Sequence, residues 1–213
     1  MRLSWLALAI LLLPAHALAD DVDPALRIGG GIDLFTWTAD TVDVSGVRQE
    51  QDVYSIGLVT PSLALDVGAL VLPWLAVGIV GRGSYASHAP TTAADASSVF
   101  TYEVLAYVEG SFRIDIVRPF ARVYGGVGGA DSTSTSPAIF SPGITPVMTT
   151  GSTTLEGAVG GALGVHVFAL PGFSISPYVS AIYLAGSVQS GATSFPITNV
   201  SIDLGVSFLG WID

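Results

Sequence analysis

The chain has no cysteine and no lysine. Without thiols, neither disulfides nor thiolate metal sites can contribute to it. Without lysine, its seven basic residues are all arginines, set against 17 Asp and Glu, and the formal net charge is -10. That sign argues against nucleic acid as a partner, because phosphate binding needs a basic surface. Charge of either sign is scarce: 11% of residues are charged, against about 25% in an ordinary soluble domain, while 50% are hydrophobic. So little charge would not cover the exterior of a water-soluble protein of this size.

Long apolar runs are also lacking. Beyond the first 19 residues none approaches the roughly 20 that a spanning helix needs. The uncharged stretch between Asp66 and Arg82 is fifteen residues long and carries the helix breaker Pro73 in its middle. High apolarity without a spanning helix leaves the closed membrane barrel, whose backbone groups are all paired between strands.

The N-terminus reads as a secretory signal peptide, residues 1–19. Arg2 supplies a positive charge, Leu6 to Leu13 an apolar core, and Ala17-Leu18-Ala19 an A-x-A cleavage site before Asp20. Cleavage after Ala19 removes Arg2 and takes the net charge from -10 to -11. The rest, 20–213, reads as one domain.

Its apolar residues recur with period two, the spacing of strands. Leu26, Ile28, Ile32 and Leu34 oppose Arg27, Gly29, Gly31 and Asp33. Leu63, Leu65, Val67 and Ala69 oppose Ala64, Asp66 and Gly68. Leu75, Val77 and Ile79 oppose Ala76, Gly78 and Arg82, with Val80 out of step. From Phe100 to Arg113 the alternation is long, with Tyr102, Val104, Ala106, Val108 and Phe112 on one face and Glu103, Tyr107, Glu109 and Arg113 on the other. Segments 120–130, 154–168, 173–185 and 199–209 complete a set of eight. Phe35 and Trp37 break the phase of the first segment, which implies a shift near its end.

Short connections fall at 70–74, 114–118 and 169–172, with Pro, Gly or Asp suited to tight turns. Long ones, rich in Ser, Thr, Ala, Pro and Asp, fall at about 39–60, 86–98, 131–153 and 187–197. Four long loops at one end and three short turns with both termini at the other predict an all-β, eight-stranded antiparallel transmembrane up-and-down barrel. A soluble barrel would turn the mixed face to water and load it with Lys and Glu. Here that face is mostly Gly, Ala and Ser with isolated charges, which suits a narrow interior. Tyr85, Phe100, Tyr102 and Tyr183 near the loops, and Phe112, Phe173 and Phe208 near the turns, fit two interfacial girdles.

On these features the chain resembles the small eight-stranded outer-membrane barrels of the OmpA, OmpX and OmpW kind, over essentially all of residues 20–213. The last strand, Ser201-Ile202-Asp203-Leu204-Gly205-Val206-Ser207-Phe208, looks like the family's C-terminal signal for the barrel assembly machinery. The chain departs from the pattern by continuing to Trp211-Ile212-Asp213 instead of ending on an aromatic residue. The resemblance implies a bacterial outer-membrane location, with outer-membrane lipids and the assembly machinery as partners.

The inward face carries Arg27, Arg82, Arg113 and Arg122 against Asp33, Asp66, Glu103, Glu109, Glu156 and Asp203. Charges enclosed in a narrow barrel must be paired or hydrated. Strand depth predicts Arg82 with Glu103, and Glu109 with Arg122, as cross-strand pairs. These ions form either a polar plug that holds the barrel or, as the resemblance suggests, the gate of a narrow pore. Some similar barrels are lipid-modifying enzymes that use His and Ser, but here His16 leaves with the signal, His88 lies in a polar loop and His166 points inward near the periplasmic end. No spacing resembles a catalytic triad. Asp40, Asp43, Glu50 and Asp52 match no calcium-loop motif and read as a solvated acidic loop. The expectation is therefore an integral barrel with a structural or surface-interaction role, displaying four extracellular loops to a partner the sequence does not name. A narrow passive channel for small or apolar solutes comes second and a lipid-acting enzyme last, with no catalytic, cofactor or metal residue assigned.

Overall fold

The computed structural model describes residues 26–44, 47–56, 62–88, 96–137, 147–190 and 193–212. The signal peptide with its cleavage site, His16, Asp95 and Asp213 lie outside the described residues.

Nine strands form one antiparallel sheet: β1 (Leu26–Val44), β2 (Val47–Ile56), β3 (Ser62–Leu72), β4 (Leu75–His88), β5 (Ala96–Ser111), β6 (Val117–Pro137), β7 (Val147–Leu170), β8 (Phe173–Ser190) and β9 (Thr193–Ile212). β3 pairs with the lower half of β1, from Leu26↔Ala69 to Asp33↔Ser62, and β2 with its upper half, from Phe35↔Ile56 to Val44↔Val47. The two are halves of one barrel strand, so the ring has the expected eight. It closes through β1 and β9, from Leu26↔Ile212 to Val42↔Ile197, which leaves no exposed lower edge.

The fifteen-residue uncharged stretch is a hairpin: β3 and β4 pair up to Leu72↔Leu75 around Pro73 and Trp74. At the second short turn Ile114 bridges Val117 and Asp115 takes φ 53°; at the third, Gly172 takes φ 73°, where a side chain would be strained. All three short turns fall where the sequence predicts them.

The long connections differ from expectation. The described residues of regions 39–60, 86–98, 131–153 and 187–197 are extensions of the strands, with pairing continued to Val44↔Val47, His88↔Ser97, Pro137↔Val147 and Ser190↔Thr193. Polar composition suits loops, but Ser and Thr also pair well in a solvated ladder, and leaving the lipid does not end backbone hydrogen bonding.

Outward residues form an apolar belt. Leu63, Leu65, Val104, Val108, Val123, Leu155, Val159 and Leu163 are all exposed, Val123 by 70%. Tyr85, Phe100 and Tyr183 lie on this face towards the long hairpins, and Phe112 and Phe208 towards the short turns. An exterior of this kind is solvated by hydrocarbon, not water. Among the described residues no helix is long and apolar enough to cross a membrane.

The phase break in β1 is a register shift between Asp33 and Phe35. Leu34 is the extra residue, and beyond it Thr36, paired with the inward Asp203, takes over the inward phase. Val80, out of step in sequence, is an interior residue packed with Leu105, Tyr107, Tyr124, Ile182 and Leu184. This cluster draws on five strands and gives the barrel an apolar core of its own.

Candidate functional site: the ion layers of the barrel interior

Two layers of charge cross the interior. The lower one, near the short turns, is built on Glu109 and Arg27, both fully buried. Arg27 Nη1 and Nη2 donate to Glu109 Oε1 and Oε2 at 2.7 and 2.9 Å, a bidentate fork. Arg122 Nε donates to Glu109 Oε2 at 2.5 Å, and its Nη1 lies 2.8 Å from Asp66 Oδ2. The Tyr107 hydroxyl accepts from Arg27 Nη2 at 2.6 Å and donates to Asp66 Oδ1 at 2.8 Å. Two arginines thus face two carboxylates, and the set is formally neutral, as burial requires.

Local sequence makes room for it. Tyr107 stands in register with Gly78, which in turn pairs with Gly68. A Cβ on either glycine would collide with the Tyr107 hydroxyl. Gly205 does the same for Tyr178, whose ring atoms would lie 2.5 Å from an added Cβ.

Below this layer, His166 Nε2 lies 3.2 Å from Glu109 Oε1 and Nδ1 lies 2.7 Å from Ser176 Oγ. A carboxylate only accepts, so Nε2 carries the proton and Ser176 donates to Nδ1. The set has the composition of a Ser-His-acid triad, which the sequence did not reveal because Glu109 lies 57 residues from His166 in the chain. Its surroundings are those of a core: His166, Ser176 and Glu109 are 0% exposed, with Phe120 stacked on the imidazole at 4.4 Å and Trp211 edge-on at 5.4 Å. A nucleophile needs an approach for its substrate, and the three are sealed by packing.

Trp211 explains the chain's continuation beyond Phe208. It pairs with Arg27 and turns inward, its ring 5.5 Å from the Arg27 guanidinium and 5.7 Å from that of Arg118. Its indole N–H donates to Ser174 Oγ at 2.9 Å. Arg118, expected in the 114–118 turn, is instead buried and donates to the Pro73 carbonyl at 2.9 Å. Its parity with Arg122 was the available signal.

The upper layer is centred on Arg82. Glu109 and Arg122 are cross-strand partners and meet as predicted, whereas Arg82 and Glu103 are also register partners but do not close. Among the described residues, Arg82 forms its ion pair with Asp203, Nη1 to Oδ2 at 3.1 Å, with Ser180 donating to the same oxygen at 3.0 Å. The guanidinium sits 5.7 and 5.8 Å from the Tyr124 and Tyr178 rings, which direct it across the lumen instead of along its own wall. Tyr178 donates to Asp33 at 2.6 Å. Between the layers a cavity of about 20 Å³, lined by Asp66, Arg82, Arg122 and Tyr178, is about the size of one water molecule.

Arg113 is not interior. It is exposed beside the second turn, where its Nε donates to the Asp115 carbonyl and its guanidinium covers Phe168 at 5.6 Å. The β5–β6 ladder ends at Ser111↔Phe120, so the inward phase stops before it. At the other end, a concavity of about 640 Å³ takes in Asp40, Glu50 and Asp52. No three acidic or imidazole side chains among the described residues converge as a metal-ligand set. The side chains of Asp43 and His88 lie outside the described residues.

Comparison with solved structures matches this geometry to barrels of bacterial outer membranes. The outer membrane protease OmpT of Escherichia coli aligns over 92% of this chain and 99% of its own, with a TM-score of 0.50 at 8% identity. The chain has an outer-membrane barrel fold. Neisserial surface protein A aligns over 87% of this chain and 98% of its own (TM-score 0.45, 12% identity). The attachment invasion locus protein of Yersinia pestis aligns over 88% and 99% (TM-score 0.42, 14% identity). At such identities the likeness is one of fold alone. No protein-family model and no curated protein sequence matches the chain.

Proposed function

We propose that the protein is an integral barrel of the bacterial outer membrane with a structural or surface-interaction role. The observation that carries this reading is the contrast between its two faces. The outer face is an apolar belt, and the lumen is filled by a neutral ion layer, a tyrosine layer and the Leu105–Ile182 core. A lumen packed in this way holds the wall together and leaves the long hairpins of β1–β2, β4–β5, β6–β7 and β8–β9 as the parts offered to the surroundings. Lipids of the outer membrane cover the belt, and the barrel assembly machinery inserts the chain through β9.

The test is twofold. Refolded protein should need detergent and should shift on a gel between unboiled and boiled samples. In planar bilayers it should show no steady conductance, since Arg27, Glu109 and Arg122 close the lumen. Steady ohmic conductance would replace this reading with the passive channel, and solubility without detergent would remove the membrane barrel altogether.

A further inference from the structure

The short-turn end of the barrel is apolar where turns standing in water favour Asn, Asp, Ser and Gly. Its three segments are Leu70-Val71-Leu72-Pro73-Trp74-Leu75, Phe112-Arg113-Ile114-Asp115-Ile116-Val117 and Phe168-Ala169-Leu170-Pro171-Gly172-Phe173, in which Arg113 and Asp115 are the only charges. Leu72, Trp74, Ile114, Ile116 and Leu170 are exposed, Ile116 by 56% and Leu170 by 64%. Backbone bonding in these turns points the same way. The Pro73 carbonyl accepts from Arg118 Nη2 at 2.9 Å, that of Trp74 from the Ser111 N–H at 2.9 Å, that of Ile116 from the Phe168 N–H at 2.8 Å and that of Gly172 from the Trp211 N–H at 2.8 Å. Ile114 and Val117 exchange both of their bonds. Carbonyls of a turn in water can be left to solvent, whereas surroundings short of water require internal partners.

Depth follows from the upper aromatic girdle, where Tyr85 and Phe100 are register partners. From Tyr85 down β4 to Leu75 the chain takes ten residue steps (85 − 75). At about 3.4 Å per residue and a tilt of about 40° these span roughly 26 Å along the barrel axis, against about 25 Å for the apolar band of such barrels. The turns therefore begin where the hydrocarbon ends, in the layer that favours Trp and long basic side chains. Trp74 stands at that level, and the Arg113 guanidinium lies 5.6 Å from the Phe168 ring while its Nε donates to the Asp115 carbonyl. On β4 the exposed face runs from Ile79 and Val77 to Trp74 with no polar residue between them, so the turn surface continues the lipid-facing belt.

We infer that the three short turns are docked in the phospholipid leaflet on their side of the membrane, at the boundary of acyl chains and headgroups, instead of standing clear of it in water. Lipid is the occupant because the turn surface and the belt are continuous, and because turn carbonyls satisfied from within need nothing from a partner. Arg118 takes part by holding the Pro73 carbonyl from inside the barrel. The inference rests on the membrane-barrel reading and extends it from the wall to the turns.

The chain has no cysteine, so a single introduced thiol carries a nitroxide label to one chosen place. Leu72→Cys, Ile116→Cys and Leu170→Cys label one turn each, Val123→Cys labels the belt, and Thr133→Cys labels an exposed position of the β6–β7 hairpin. The full chain is refolded into vesicles of phosphatidylethanolamine with a minor share of phosphatidylglycerol, and folding of each variant is checked by the gel shift. Collision of the label with oxygen is then compared with its collision with a water-soluble nickel chelate. The oxygen-to-chelate ratio at the turns is expected to be severalfold above that at Thr133 and below that at Val123. Turn labels as open to the chelate as Thr133, with Val123 in lipid, would overturn the inference alone. A Val123 label open to the chelate would remove the membrane barrel on which it rests. Spin–spin broadening at the turns that grows with the protein-to-lipid ratio would assign the surface to a second copy of the chain and overturn lipid as its occupant. Each turn reads separately, so a variant that does not fold leaves the other two to decide.

Discussion

Arg27 and Glu109 stand 82 residues apart in sequence and meet in a fully buried bidentate pair, at 2.7 and 2.9 Å. Glu109 also accepts from Arg122 and contacts His166, so one carboxylate serves three partners.

Replacing Glu109 should therefore cost more than replacing any other interior acid. Glu109→Gln leaves Arg27 and Arg122 short of their shared counter-charge and should destabilise by about 3–5 kcal/mol. Glu103→Gln should be neutral or stabilising, because Glu103 forms no ion pair with Arg82 and one of its oxygens is buried without a donor. The temperature at which the unboiled gel band is lost ranks the two, and a reversed order would remove the assigned roles.

Tyr107→Phe deletes a hydroxyl that both accepts from Arg27 and donates to Asp66. Leaving an acceptor of the ion layer unsatisfied should cost about 1–3 kcal/mol, read by urea unfolding in lipid vesicles.

Gly78→Ala tests the same contact from the neighbouring strand. The added Cβ meets the Tyr107 hydroxyl and the Val67 carbonyl, and the backbone partner cannot swing away. A loss of about 1–3 kcal/mol is expected. Gly81→Ala, where an added Cβ meets nothing within 4 Å, should be close to neutral and serves as the control.

The outer belt makes the sharpest membrane prediction. Val123→Arg, at a 70% exposed position of the apolar belt on β6, should cost about 2–4 kcal/mol in a bilayer, while Ile116→Arg in the second turn should cost about 0–1 kcal/mol. In water both positions would accept arginine with little change, so equal stabilities in vesicles would contradict a lipid-facing belt.

Much of this is legible in the sequence. Alternation along Leu63–Ala69 or Phe100–Phe112 tells inside from outside because side chains of a strand point alternately to its two faces. Scarce charge tells that the apolar face meets lipid. The Glu109–Arg122 pair was accessible for the same reason: neighbours across a ladder follow from counting along two strands joined by a short turn. The extended hairpins were not, since Ser and Thr serve loops and ladders equally well.

Sequence by itself determined the strand number and, within the strands, the two faces and the depth of charges such as Glu109 and Arg122, all of which are local or nearest-neighbour properties; at the second turn, where the alternation ends, it misplaced Arg113 and Arg118. Tertiary structure alone decided which charges meet across the lumen. Arg82 reaches Asp203, 121 positions away, and not its register partner Glu103, because ring closure brings β4 and β9 within one side chain's length of each other and the Tyr124 and Tyr178 rings aim the guanidinium there. Reach across a closed barrel depends on the ring as a whole, and no pair of strands carries that information.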